Sequence, residues 1–168
     1  MPVLLMKIIN LLCQMKINII SVGKFDDMGY QIAFENYLKR IKLFKVELKE
    51  INIKFSKNHE INKIKKQEQE AILQYCKPNS ANILLDETGK MLSSMQFSSY
   101  LQQQLILTSE LNFIIGGAFG VHDYLKQKTN LVWSLSLLTL PHLLVRVLLC
   151  EQIFRAQTII NNHPYHKI

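Results

Sequence analysis

The stretch Leu111-Asn-Phe-Ile-Ile-Gly116-Gly117-Ala-Phe-Gly120 decides the fold. Its apolar run reads as a buried strand. The glycines that follow let main chain approach a ligand closely, as a phosphate or adenosyl group requires. Working outward, Asn82-Ile-Leu-Leu85 ahead of Asp86 is a second buried strand, and Val132 to Leu135 a third. Pro141-His142 then opens a long apolar helix to Asn161, with Pro placed where a missing N–H costs nothing. Upstream, Met15 to Val22 is a strand closed by Gly23, and Asp26 or Asp27 caps a helix to about Lys42. Val46 to Ile53 is a strand whose alternation slips between Leu48 and Ile51. Lys54 to Cys76 is a solvated, basic helix behind a loop, its thin stripe formed by Ile61, Ile64, Ile72 and Leu73. Glu87-Thr-Gly-Lys90 is expected to turn the chain, Ser93 or Ser94 to cap a helix, and Val121 to Lys128 to form a short one. Five strands alternating with five helices predict an α/β sandwich with a mostly parallel central sheet. In such sheets ligands sit beyond the carboxyl ends of strands. One pocket touching Leu85-Asp86, Gly116-Gly117 and Ser134-Leu135 is therefore expected.

A chain of 168 residues, 48% hydrophobic and 20% charged, is one globular domain long enough to bury a core. Lys and Arg outnumber Asp and Glu by 20 to 13, a net charge of +7 that favours polyanionic partners, nucleic acid before membrane. No apolar run reaches the 18 or so residues of a membrane span. Cys13, Cys76 and Cys150 are odd in number and widely spaced, which argues against a disulfide framework and a zinc site and fits a reducing cytoplasm. Residues 1–14 carry Val3-Leu-Leu-Met and Ile8-Ile-Asn-Leu-Leu without a preceding basic residue or a following cleavage site. They are expected to be an appendage to a single domain at 15–168.

Gly116, Gly117 and Gly120 match neither the dinucleotide fingerprint nor a lysine phosphate loop, and serve either tight packing or ligand approach. His142 reads as a cap, a packing group or a catalyst. Arg146 interrupts Leu143-Leu-Val and Val147-Leu-Leu, so it needs a partner, an interface or an anionic ligand. Glu151 and Arg155 suit a surface pair at i, i+4. Apolar residues cover most of that helix's circumference, which makes it central to the fold or, as favoured here, buried by a second subunit in a homodimer. The tail Tyr165-His166-Lys167 adds a stacking ring, a group titrating near neutrality and a positive charge, stiffened by Pro164.

Taken together, Val22-Gly23-Lys24, Tyr37-Leu-Lys-Arg40, Leu85-Asp-Glu-x-Gly89-Lys90-x-Leu92-Ser93-Ser94, Ile114-Ile-Gly-Gly-Ala-x-Gly120, Leu135-Ser-x-x-Thr-Leu-Pro-His142, Val145-Arg-Val-Leu-Leu-x-Glu-Gln-x-x-Arg155-Ala156 and His163-Pro-Tyr-His166 resemble the RlmH-type methyltransferases of the SPOUT superfamily, over about residues 15–167. The resemblance implies a C-terminal trefoil knot and a homodimer. It also implies S-adenosylmethionine-dependent methylation of N3 of a pseudouridine, in the helix 69 loop of large-subunit ribosomal RNA in the assembled 70S ribosome, with neither metal nor membrane. By motif match the cofactor contacts would be Leu85, Gly116, Gly117, Leu135, Ser136, Leu137, Leu138, Thr139 and Leu140. Catalysis would fall to His166, Arg146 and Tyr165, and substrate binding to His142, Arg155 and Lys167. Two departures stand out. Lys167 replaces the commoner arginine and loses its bidentate fork. Phe119, Val121 and His122 replace more usual residues of the glycine turn. The rival readings are a non-catalytic RNA-binding protein and a SPOUT enzyme acting on transfer RNA.

Overall fold

The computed structural model describes residues 15–53 and 60–166, so the segment 1–14 and Lys167 lie outside the described residues. Strands β1 (Lys16–Val22), β2 (Lys45–Ile51), β3 (Ala81–Met91), β4 (Glu110–Ile115) and β5 (Leu131–Ser134) form one sheet in the order β2-β1-β4-β3-β5. Every neighbouring pair is parallel. Helices α1 (Met28–Arg40), α2 (Ile61–Leu73), α3 (Ser94–Leu107), α4 (Asp123–Gln127) and α5 (His142–Ile160) alternate with the strands. None of the described helices is long and apolar enough to cross a membrane.

The period of two along the strands sorts their side chains between the faces. Ile17, Ile19, Ile83, Phe113 and Trp133 pack with Phe34, Phe97, Leu101 and the α5 residues Val147 to Ala156. Ile20, Val22, Leu84 and Ile114 face the other way, against Ile72 of α2 and Leu125 of α4. That second face is thinly covered near the strand starts. There Asn18, Asn112 and Asn82 stand side by side on β1, β4 and β3. Asn18 Nδ2 donates to Asn112 Oδ1 at 2.7 Å, and Asn112 Nδ2 donates to Asn82 Oδ1 at 2.9 Å. The ladder pairs polar groups that burial would otherwise penalise, leaving Asn18 Oδ1 buried without a partner.

The caps follow from local chemistry. Asp27 accepts from the Tyr30 amide ahead of α1, and Ser93 with Gln96 forms a reciprocal capping box ahead of α3. One expectation changes. Glu87-Thr-Gly-Lys90 does not turn the chain but remains in β3. Trp133 of β5 lies opposite both Leu85 and Lys90, so the intervening residues bulge out of the ladder. Gly89 permits this, because a Cβ there would stand 2.7 Å from the Trp133 amide nitrogen. Helix α5 packs between α1 and α3, burying Leu143, Val147, Leu149, Ile153 and Phe154 while Leu144, Val145 and Leu148 stay half-buried.

Candidate active site at the strand tips

A cavity of about 640 Å³ opens beyond the carboxyl ends of β4 and β5 and beside the bulge of β3. One wall is Leu85 to Thr88 of β3, and the second is the turn Gly117 to Val121 after β4. The third is the segment after β5, where Leu135, Ser136, Leu138, Thr139 and Leu140 lead into His142 and Val145. Two residues expected as contacts stand outside the wall. Gly116 lies behind the turn, where a Cβ would meet Val121 Cγ1 at 2.6 Å, and Leu137 is 79% exposed.

Side chains fix the shape of these loops. Ser134 Oγ donates to the Ser136 carbonyl at 2.7 Å, and Ser136 Oγ accepts from the Leu138 amide at 3.0 Å. Thr139 Oγ1 donates to Glu87 at 2.8 Å, tying the third wall to the first. Burial opposes ionisation of Asp86, but hydrogen bonds from Thr88 and Lys126 outweigh it and hold its carboxyl below the ordinary value. Asp86, Glu87 and Asp123 bring acidic groups, and Lys65 and Lys126 basic ones, to a cavity whose walls also include leucines, glycines and an indole. Trp133 stacks on Phe97 with centroids 4.3 Å apart, and its Nε1 is buried without a partner.

Glu68 of α2 was not foreseen. It is 6% exposed, and its carboxylate packs against Gly117, where a Cβ would stand 2.5 Å from Oε1. Burial raises its pKa, against the pull of the Gly117 backbone and of Lys65. Its spacing was a usable signal, because Ile64, Glu68 and Ile72 are the buried residues of α2 and recur every fourth position.

His142 is half-buried on the cavity wall. Burial lowers its pKa first and the Arg146 charge second, with Asp26 opposing. A histidine whose folded pKa lies below its ordinary 6.5 resists protonation in the native state. Its effect on stability is nil above about pH 6.5 and becomes a penalty as pH falls through the folded pKa. Replacing His142 with Gln should therefore flatten the loss of thermal stability between pH 7 and 5, and identical slopes would contradict this environment.

Arg146 is fully buried and has the partner its position required. It donates to Glu50 at 3.2 Å and to the Val22 and Gly23 carbonyls at 2.9 and 3.1 Å, with its guanidinium over the Phe25 ring. It does not reach the cavity wall. Nor do Tyr165 and His166 of the same chain. Tyr165 donates to Glu151 at 3.1 Å, packs edge-on against Phe154 and covers Arg155, itself paired with Glu151. Glu151 lies about 14 Å along α5 from His142 at 1.5 Å per residue. His166 Nδ1 is buried there without a partner. The strand tips thus gather one group of predicted residues, and the far end of α5 gathers another. Among the described residues no cluster of three or more His, Cys, Asp or Glu could hold a metal.

Comparison with known proteins adds a second line. The family model described as "Predicted SPOUT methyltransferase" matches residues 15–166. The chain is 42% identical over 156 residues to the ribosomal RNA large subunit methyltransferase H of Acholeplasma laidlawii, a match covering 91% of this chain and 100% of that one. It is 39% identical to the protein of the same name from Pseudothermotoga lettingae, over 90% of this chain and 99% of that one. The Acinetobacter baumannii protein is 36% identical, over 91% and 99%. With the all-parallel sheet and the three converging loops, these matches settle the family: the chain belongs to the SPOUT methyltransferases.

Proposed function

We propose that this protein is a homodimeric, S-adenosylmethionine-dependent methyltransferase that modifies N3 of a pseudouridine in the helix 69 loop of large-subunit ribosomal RNA, on the assembled 70S ribosome in the cytoplasm. The observation that carries the reading is the convergence of Leu85, Gly117 and Leu138 on one cavity, as a main-chain cradle for the cofactor demands. The fit is chemical as well as spatial. The volume falls in the range of small-molecule sites. Leucines and an indole suit an adenosyl group, and Asp86, Glu87 and Asp123 suit its cationic end. The relatives' names, which specify large-subunit ribosomal RNA, support the substrate class.

Bound S-adenosylmethionine would supply an electrophilic methyl group on a positively charged sulfur. The walls from β3, β4 and the Leu135–Leu140 segment would hold it, and the chain's remaining task is to present the base in line and take its N3 proton. In this reading His166 accepts that proton, Tyr165 stacks on an everted base, and Arg155 and Lys167 meet phosphate. His142 contacts the base at the cavity mouth, and Arg146 acts from behind it as a fixed positive charge. Lys63, Lys65 and Lys66 of the basic helix contact RNA backbone. The tail lies too far along α5 to serve its own cavity, so a partner's tail completes each site. Leu138, 71% exposed, and Phe119, 49% exposed, lie at the cavity and suit burial by that partner. The threaded C-terminal knot of the family belongs to the same proposal.

Mass spectrometry of ribosomal RNA from cells lacking the protein tests the substrate: one N3-methylated pseudouridine should revert to its unmethylated form. Persistence of every such methyl group would refute it. Replacing His166 with Ala should leave cofactor affinity unchanged and reduce turnover at least about a hundredfold, the usual scale for losing a general base. Unchanged turnover would remove His166 from that role.

A further inference from the structure

We propose that Glu68 is a positioning residue for the cofactor: from α2 its carboxylate packs against the Gly117 backbone and so fixes the turn that forms one wall of the cavity. The inference rests on the reading that this cavity takes S-adenosylmethionine. A carboxylate among Ile64 and Ile72 is costly to bury, and the backbone it meets belongs to the glycine turn. Contact is close on both sides. A Cβ on Gly117 would stand 2.5 Å from Glu68 Oε1 and 2.9 Å from Oε2. Glycine is therefore required at 117 to admit Glu68 against the backbone. The turn is held a second time when the Gly120 amide donates to the Gly117 carbonyl at 3.0 Å. Gly117 is thus held from behind by α2 and from ahead by its own turn. Lys65, one helical turn before Glu68, reaches the cavity itself, so α2 is part of the site and not only its support.

The test uses the full chain and isothermal titration with S-adenosylmethionine. Glu68→Ala should weaken binding about tenfold, because the void it leaves frees the turn. Glu68→Gln keeps the shape that packs against Gly117 and should stay within about threefold of the parent. Amide exchange at Gly117 should quicken in Glu68→Ala and remain slow in Glu68→Gln. In turnover the KM for the cofactor should rise in Glu68→Ala while kcat and the KM for RNA hold. Gly117→Ala should weaken binding alone and lose part of that defect when combined with Glu68→Ala. Unchanged affinity in Glu68→Ala would overturn the proposal, and so would a Glu68→Gln variant as weak as Glu68→Ala. If Glu68→Ala does not fold, Glu68→Gln and the exchange rate at Gly117 still decide the matter. Failure of the unaltered protein to bind S-adenosylmethionine would overturn the functional reading, while Gly117 exchange would still report whether Glu68 holds the turn.

Discussion

Replacing Arg146 with alanine should destabilise the fold by about 3–5 kcal/mol, because it empties the site of a fully buried long side chain and strips two carbonyls of their donor. For a chain of this length that lowers the melting temperature by roughly 10–15 °C. The cause is specific. Arg146 joins α5 to the end of β1 through the Val22 and Gly23 carbonyls, and to β2 through Glu50. Glu50 also accepts from the Phe25 amide at 2.8 Å, so the ion pair anchors the loop leading into α1. Alanine leaves two carbonyls without that donor and opens a void beneath Phe25. Differential scanning calorimetry checks this, and a fall of only 2–3 °C would show that the clamp contributes little. Activity should decline as well, because His142 stands one turn before Arg146 and shares its environment.

Replacing Trp133 with alanine should have a comparable effect on stability, about 3–5 kcal/mol, with a second effect on ligand binding. Trp133 is 2% exposed, stacks on Phe97 and lies 6.2 Å from the Phe113 ring centroid, filling the core where β3 and β5 meet. It also lines the cavity. Truncation merges core and cavity, so cofactor affinity should fall along with chemical-denaturation stability. Phenylalanine should restore most of the stability, because the ring contact with Phe97 survives. An alanine variant as stable as the parent would show that this aromatic cluster is not a stabilising core.

The fold was largely readable because near-continuous apolar runs in Ile17–Val22, Asn82–Leu85 and Leu111–Ile115 announce strands buried on both faces. The three strand tips follow from that pattern and the glycines after Ile115. The bulge at Asp86–Gly89 was not readable, because Glu-Thr-Gly-Lys has the composition of a turn and only pairing with β5 keeps it extended. The partner of Arg146 was equally hidden, since Glu50 lies on another strand far away in sequence. Glu68 was masked by a helix rich in lysine and glutamate, where one buried carboxylate resembles its solvated neighbours. The tail could be assigned chemistry but not location. Tyr165 folds back against Glu151 and Phe154, away from its own cavity.

The most direct test of the account is to titrate S-adenosylmethionine into isotopically labelled protein and follow the backbone amides by NMR. Saturable shifts should concentrate at Leu85–Thr88, Gly117–Val121 and Leu135–Leu140, the three walls of one cavity. Absence of binding, or shifts centred on another region while these three segments stay still, would contradict the claim that the strand tips form the cofactor cradle.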